Sequence, residues 1–133
     1  LNERLSRSEF MPFAPVATAE RAGDVFDITK VNARPCRYMT IATDVRPDWR
    51  RRIAAVVHVD QSARPQVIER ADNPLYHDIL TAFEGATGLA ALVNTSFNVH
   101  EEPIVNTPSE CARALTDGRI DFVVTDRALY VRG

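Results

Sequence analysis

Apolar positions along the chain fall into short runs, separated by prolines, glycines and clusters of charge. Pro12 and Pro15 bracket "PFAP", an extended apolar lead-in, because a residue before proline avoids the helical region. Thr18 can cap a short amphipathic helix running to about Phe26. "YMTIATDV", Tyr38 to Val45, reads as a strand rich in β-formers. "RPDWRRR", Arg46 to Arg52, reads as a charged connector, and "IAAVVHVD", Ile53 to Asp60, as a second and mostly buried strand.

The second half is punctuated more sharply. Asn73-Pro74 supplies a cap and a proline at the first helical position. Leu75, Ile79, Ala82, Phe83 and Ala86 then share one helical face, and Gly88 can end the helix. "LAALV", Leu89 to Val93, is a continuous apolar run suited to an interior strand. Thr107-Pro108-Ser109-Glu110 is a capping-box pattern opening a helix that ends near Gly118. "IDFVVT" and "ALYVR" predict a terminal hairpin turning near Asp126-Arg127. Helices alternating with strands, closed by a hairpin, predict an α/β (α+β) fold: a mixed sheet with packed helices. No glycine-rich dinucleotide fingerprint and no phosphate-binding P-loop motif occurs.

Composition changes this picture little. The 133 residues are 45% hydrophobic and 26% charged, the profile of one globular domain. A net charge of −2 gives no general electrostatic case for nucleic acid or an anionic membrane. No apolar run approaches the roughly 20 residues of a membrane span. Lys30 is the one lysine among 16 basic residues. Arginine suits bidentate contact with carboxylate or phosphate, and a genomic codon bias explains the same count. Cys36 and Cys111 form no CxxC pair and fit free thiols in a reducing, cytoplasmic setting. Because the chain begins at Leu1, inside what reads as structure, it is expected to be a piece of a longer protein.

Two stretches carry candidate chemistry. "NTSFN", Asn94 to Asn98, follows an apolar strand, and in open α/β sheets ligands bind beyond the carboxyl ends of strands. Thr95 and Ser96 offer hydroxyls, Asn94 and Asn98 amides, a donor and acceptor set for a phosphate or small carbonyl group. A polar turn that satisfies its own backbone is the competing reading. In "HVDQSARPQ", His58 and Asp60 lie two apart on the expected strand and so share a face, as a structural pair or a ligand-facing one. Two ligands fall short of a zinc or iron site. Arg64 follows in a loop, where it can clamp a phosphate or sit in solvent. Arg4 and Arg7, three apart, would share a helical face near the start. His77 and His100 stand alone, and His100-Glu101-Glu102 lacks the second histidine of a zincin motif.

"LNERLSRSEFMPFAP", "VVHVDQSARPQ" and "LVNTSFNVHEEPIVNTPSE" together resemble, in order and approximate spacing, the C-terminal lobe of the NodU-type O-carbamoyltransferases. These enzymes carbamoylate hydroxyl groups of antibiotics and nodulation factors, a role in secondary metabolite biosynthesis. The resemblance implies one domain over residues 1–133: an incomplete YrdC-like lobe, a mixed twisted sheet with packed helices. It implies that this lobe takes carbamoyl phosphate and ATP, with Mg, and makes carbamoyladenylate. A Kae1-like N-terminal lobe of the same chain would hold the family's metal and the small-molecule hydroxyl acceptor. By position in the motifs, Arg64, Ser96 and Asn98 are implied catalytic contacts. Arg4, Arg7, Asn94 and Thr95 join them in binding nucleotide, and His58 and Asp60 are placed at the substrate. Family members often carry a Lys-x-Arg-Glu run where this chain reads Leu5-Ser6-Arg7-Ser8-Glu9, so Arg4 or Arg7 is the candidate for the replaced charge. The family's Gly-Pro-Arg motif is expected just upstream of Leu1. The alternative is a non-catalytic nucleotide- or RNA-binding module of the same fold.

Overall fold

The computed structural model describes residues 12–98 and 102–132. These fall into two compact units, one of residues 12–95 and one beginning at Ser96. The fold is α+β, as the alternation of patterns predicts.

The first unit is organised on β1, Ala14–Thr18, in which every residue is buried. β1 lies between β4, Gln66–Ile68, which runs parallel to it, and β5, Leu92–Asn94, which runs antiparallel. The prolines predict an extended segment here, and the structure makes it the central strand. Proline cannot donate to a ladder, and pairing with β4 begins only at Val16, just past Pro15. "LAALV" therefore yields an edge strand, not an interior one. The two faces of β1 feed two apolar clusters. Ala17 joins Val25, Phe26, Cys36, Val45, Trp49 and their neighbours. Val16 packs with Ile68 and Leu80.

Helix α1, Ala19–Val25, leaves β1 directly. Thr18 is its cap by backbone conformation, but its side chain makes no capping hydrogen bond. Helix α4, Pro74–Thr87, starts and stops where Asn73 and Gly88 predict. The Asn73 side chain accepts from the Tyr76 N–H, and Gly88 adopts the left-handed conformation, φ 73°. The buried stripe of α4 is not the apolar one, however. Leu75 and Ile79 are 42% and 37% exposed, while His77 and Leu80 are buried. The reason lies on α1. Glu20 meets the His77 Nε2 at 3.0 Å, and the Arg21 Nε donates to Glu84 at 2.7 Å. Polar residues on α4 can turn inward because α1 supplies their partners.

Three other readings are corrected between α1 and α4. Tyr38 to Val45 is not one strand. A short helix α2, Ala33–Cys36, is followed by tight turns in which Tyr38 N–H and Thr40 N–H both return to the Pro35 carbonyl. Met39 takes φ 54°, and only β2, Thr43–Asp44, is extended. Arg46 to Arg52 is more than a charged connector. It contains α3, Pro47–Arg50, buries Trp49, and stacks the Arg52 guanidinium 3.9 Å from the Trp49 ring centroid. Ile53 to Asp60 is not a strand. Ala54–Val56 forms a 3₁₀ turn, Ile53 and Val56 are buried, and Val59 is fully exposed. Burial three residues apart is a helical spacing, and a strand would need two. β3, Ser62–Ala63, then pairs antiparallel with β2.

In the second unit, α5, Pro108–Thr116, carries the full reciprocal capping box between Thr107 and Glu110. The Glu110 carboxylate accepts from the backbone N–H groups of Asn106 and Thr107 and from the Thr107 hydroxyl, which holds its pKa below the usual value. Thr107→Ala is expected to cost about 1 kcal/mol at neutral pH. Because Glu110's pKa is depressed in the folded state, its support is complete above about 4.5, the unfolded value, and fades as pH falls through the folded one. Urea midpoints of Glu110→Gln and the parent should differ at pH 7 and draw together as pH falls below 4.5 and through the depressed folded value. The hairpin follows as expected: β6, Phe122–Val124, and β7, Leu129–Val131, with Thr125 N–H donating to the Ala128 carbonyl across Asp126-Arg127.

Candidate functional site

The "HVDQSARPQ" segment forms a turn, strand β3, a two-residue link and strand β4. His58 and Asp60 do not share a strand face, but Ser62 brings them together. The Asp60 carboxylate accepts from the Ser62 N–H at 3.0 Å and from its hydroxyl at 2.7 Å. The His58 Nδ1 lies 3.0 Å from the same hydroxyl oxygen. Backbone bonds close the turn: the His58 N–H donates to the Ser62 carbonyl and the Gln61 N–H to the His58 carbonyl. Gln61 sits at φ 70°, the left-handed region that a tight turn demands. The Ser62 hydroxyl, then its N–H, hold the Asp60 carboxyl below the ordinary carboxylate range.

Arg64 lies in the link between β3 and β4, exposed, next to the buried Pro65. Among the described residues its guanidinium has no hydrogen-bond or ion-pair partner. Other arginines of this unit are committed: Arg21 to Asp24 and Glu84, Arg37 to Glu69 and Asp72, Arg70 to Asp78. Asn94, the last residue of β5, donates from Nδ2 to the Gln66 Oε1 at 2.7 Å, tying the start of "NTSFN" to the end of "HVDQSARPQ". Met39 Sδ stands 3.4 Å from the same nitrogen. Asn94 is thus a structural tie as well as a candidate contact. Thr95 is exposed at the end of this unit.

Ser96 and Asn98 belong to the second unit. The Ser96 hydroxyl donates to the Asn98 Oδ1, and the Asn98 Nδ2 donates to the Glu102 carbonyl at 3.0 Å. The Phe97 carbonyl accepts from Val105 N–H at 2.8 Å, so the loop is partly self-satisfied, as a polar turn would be. Asn98 also lines a cavity of about 290 Å³ with Phe97, Pro103, Val105, Arg113 and Ile120. Arg113 was not singled out by any motif; its place on α5 at this cavity depends on folding that local pattern does not report. The Glu102 carboxylate lies 3.8 Å from the Arg119 guanidinium. Arg4, Arg7 and His100 lie outside the described residues.

Each unit by itself offers groups that suit an anionic ligand, the Arg64 guanidinium in the first and the Ser96 hydroxyl and Asn98 amide in the second. Guanidinium, hydroxyl and amide groups complement phosphate and carboxylate oxygens. Among the described residues no three His, Cys, Asp or Glu side chains come together to hold a metal ion. Also among the described residues, Cys36 and Cys111 are free thiols, and no helix is long and apolar enough to cross a membrane.

Comparison with known proteins gives these residues a context. The model of the family described as carbamoyltransferase C-terminus matches residues 1–132. The chain is 36% identical over 132 residues to nodulation protein U of Rhizobium tropici, covering 99% of this chain and 22% of that protein. It is 36% identical over 118 residues to nodulation protein NolO of Bradyrhizobium diazoefficiens, covering 89% and 21%. A protein of Synechocystis sp. is 36% identical over 146 residues, covering 95% and 23%. The chain thus spans between 21% and 23% of the length of these curated relatives. It belongs to the carbamoyltransferase C-terminus family, a family of transferases.

Proposed function

We propose that this chain is the carbamoyladenylate-forming lobe of an ATP-dependent O-carbamoyltransferase. Carbamoyl phosphate and ATP are its substrates, and the carbamoyl group goes finally to a hydroxyl of a small-molecule acceptor in secondary metabolism. A Kae1-like N-terminal lobe completes the transfer, in a cytoplasmic setting that suits the two free thiols. The observation that carries the reading is Arg64, an exposed guanidinium with no protein partner among the described residues, in a chain of this family.

The chemistry follows from charge. Water attacks carbamoyl phosphate, the bond between the carbamoyl group and the phosphate breaks, and carbamate, inorganic phosphate and a proton result. A carbamate oxygen attacks the α-phosphorus of ATP, a new P–O bond forms, and the bond to pyrophosphate breaks. Negative charge builds on the phosphorus oxygens during this step. Arg64 stabilises it by paired N–H donors, and Ser96 and Asn98 contribute a hydroxyl and an amide. Magnesium entering with the nucleotide would supply positive charge to offset that of the departing pyrophosphate. Arg4 and Arg7 are the proposed further cations, and Thr95 and Asn94 the supporting contacts. Carbamate decomposes in water, so a closed site protects it.

In the native polypeptide, carbamoyl phosphate and ATP should give carbamoyladenylate and pyrophosphate, detected by mass spectrometry and a coupled assay. Asn98→Ala is expected to lower that rate about a hundredfold. Full turnover by Asn98→Ala would remove it from the site. Calorimetry that finds no ATP binding but RNA affinity with a steep salt dependence would replace the reading with an RNA-binding module.

A further inference from the structure

The hydroxyl of Ser62 has one proton, and the geometry says where it goes. Asp60 is an acceptor when ionised, and its Oδ1 lies 2.7 Å from the Ser62 Oγ, so that proton points to Asp60. The His58 Nδ1, 3.0 Å from the same oxygen, must then supply a hydrogen of its own. Neutral His58 is therefore protonated on Nδ1, and its Nε2 carries a bare lone pair. That nitrogen has no partner among the described residues, and it is not among the buried polar atoms left without one.

We propose that Ser62 is a positioning residue that fixes His58 in the Nδ1–H form, so that Nε2 accepts a hydrogen bond from an N–H donor of the ligand. This rests on the carbamoyl-transfer reading for the donor's identity: it is the amino group of the carbamoyl substrate. Phosphate and carboxylate oxygens are acceptors and would meet a lone pair at Nε2, so neutral His58 does not serve them. The amino group is also what separates carbamoyl phosphate from acetyl phosphate, which has a methyl group in its place. His58 thereby becomes a specificity determinant, and Arg64, on the other side of Ser62 and Ala63 in sequence, handles charge. Asp60 acts only through Ser62: it orients the hydroxyl, which orients the ring.

Two readouts test this separately. Two-bond proton–nitrogen correlation spectra of the ¹⁵N-histidine-labelled chain, at a pH where His58 is neutral, should show His58 protonated on Nδ1. Ser62→Ala should shift it to the Nε2–H form usual for an unconstrained ring, and Ser62→Thr should restore the parent tautomer. In the native polypeptide, the ratio of the acetyl phosphate inhibition constant to the carbamoyl phosphate KM should fall about tenfold in Ser62→Ala and recover in Ser62→Thr, with the KM for ATP unchanged. An Nε2–H tautomer in the parent chain overturns the proposal whatever the activity. The expected tautomer with unchanged discrimination overturns the role given to the amino group. If the parent turns over no carbamoyl phosphate, the reaction reading fails, and Ser62's positioning role is decided by the spectra alone.

Discussion

Phe26→Ala is expected to remove about 3–5 kcal/mol of stability, the usual cost of emptying a phenylalanine site in a core. Whole domains are commonly stable by only about 5–15 kcal/mol, so the variant should be partly unfolded at 37 °C. The size of the effect follows from where the ring sits. Phe26 is fully buried, the largest such side chain among the described residues. It also ends α1, its N–H donating to the Ala22 carbonyl at 2.8 Å, and it bridges to Val45 in the next extended piece. Val25, Cys36, Val45, Trp49, Ala63 and Val67 share its cluster. The cluster that holds this ring draws on α1, α2, α3, β3 and β4, so emptying its place touches the packing shared by all of them. Phe26→Leu keeps most of the volume and should cost less than about 1.5 kcal/mol. Urea denaturation followed by Trp49 fluorescence measures both. A loss below 1 kcal/mol in Phe26→Ala would mean that this cluster is not the core.

What could be read from the chain depended on the range of the interaction. The Thr107–Glu110 capping box, the Asn73 cap, the Gly88 terminator and the turn at Asp126-Arg127 are all settled within a few residues, and each is where the pattern predicts. Longer-range partners defeated the pattern. On α4, His77 is buried and Glu84 half-buried because Glu20 and Arg21 lie against them, 57 and 63 residues away in sequence. The β-forming residues of Tyr38 to Val45 were overruled by turns closing on Pro35. At the candidate site, motif spacing named His58, Asp60 and Arg64, but on a strand for the first two. The pattern that could have corrected this was present: Asp60 and Ser62 stand two apart, the spacing of a turn in which an aspartate accepts from the N–H two residues on. That spacing also marks Ser62, which motif reading passed over. Arg113 had no comparable signal, since nothing local to α5 says that it reaches the cavity beside Asn98.

Arg64→Ala is expected to lower kcat/KM for carbamoyladenylate formation by about 10²–10³, the loss seen when a preorganised donor to developing charge is removed. The same substitution should leave stability within about 0.5 kcal/mol, because Arg64 is exposed and no described residue depends on it. This split is the informative part. An arginine retained for a salt bridge would lose stability and activity together, whereas one held ready for a ligand loses activity alone. Strand geometry makes Arg64 suitable: it is anchored by β3 on one side and by the buried Pro65 and β4 on the other, so the backbone that presents it is fixed before the ligand arrives. Preorganisation of this kind keeps the cost of ordering out of the binding step. Arg64→Lys separates charge from shape. A lysine restores the positive charge but not the planar pair of donors, so it should recover only part of the rate if phosphate is held bidentately. Full recovery by lysine would mean that a point charge suffices. Undiminished turnover by Arg64→Ala would withdraw the phosphate contact from Arg64 altogether.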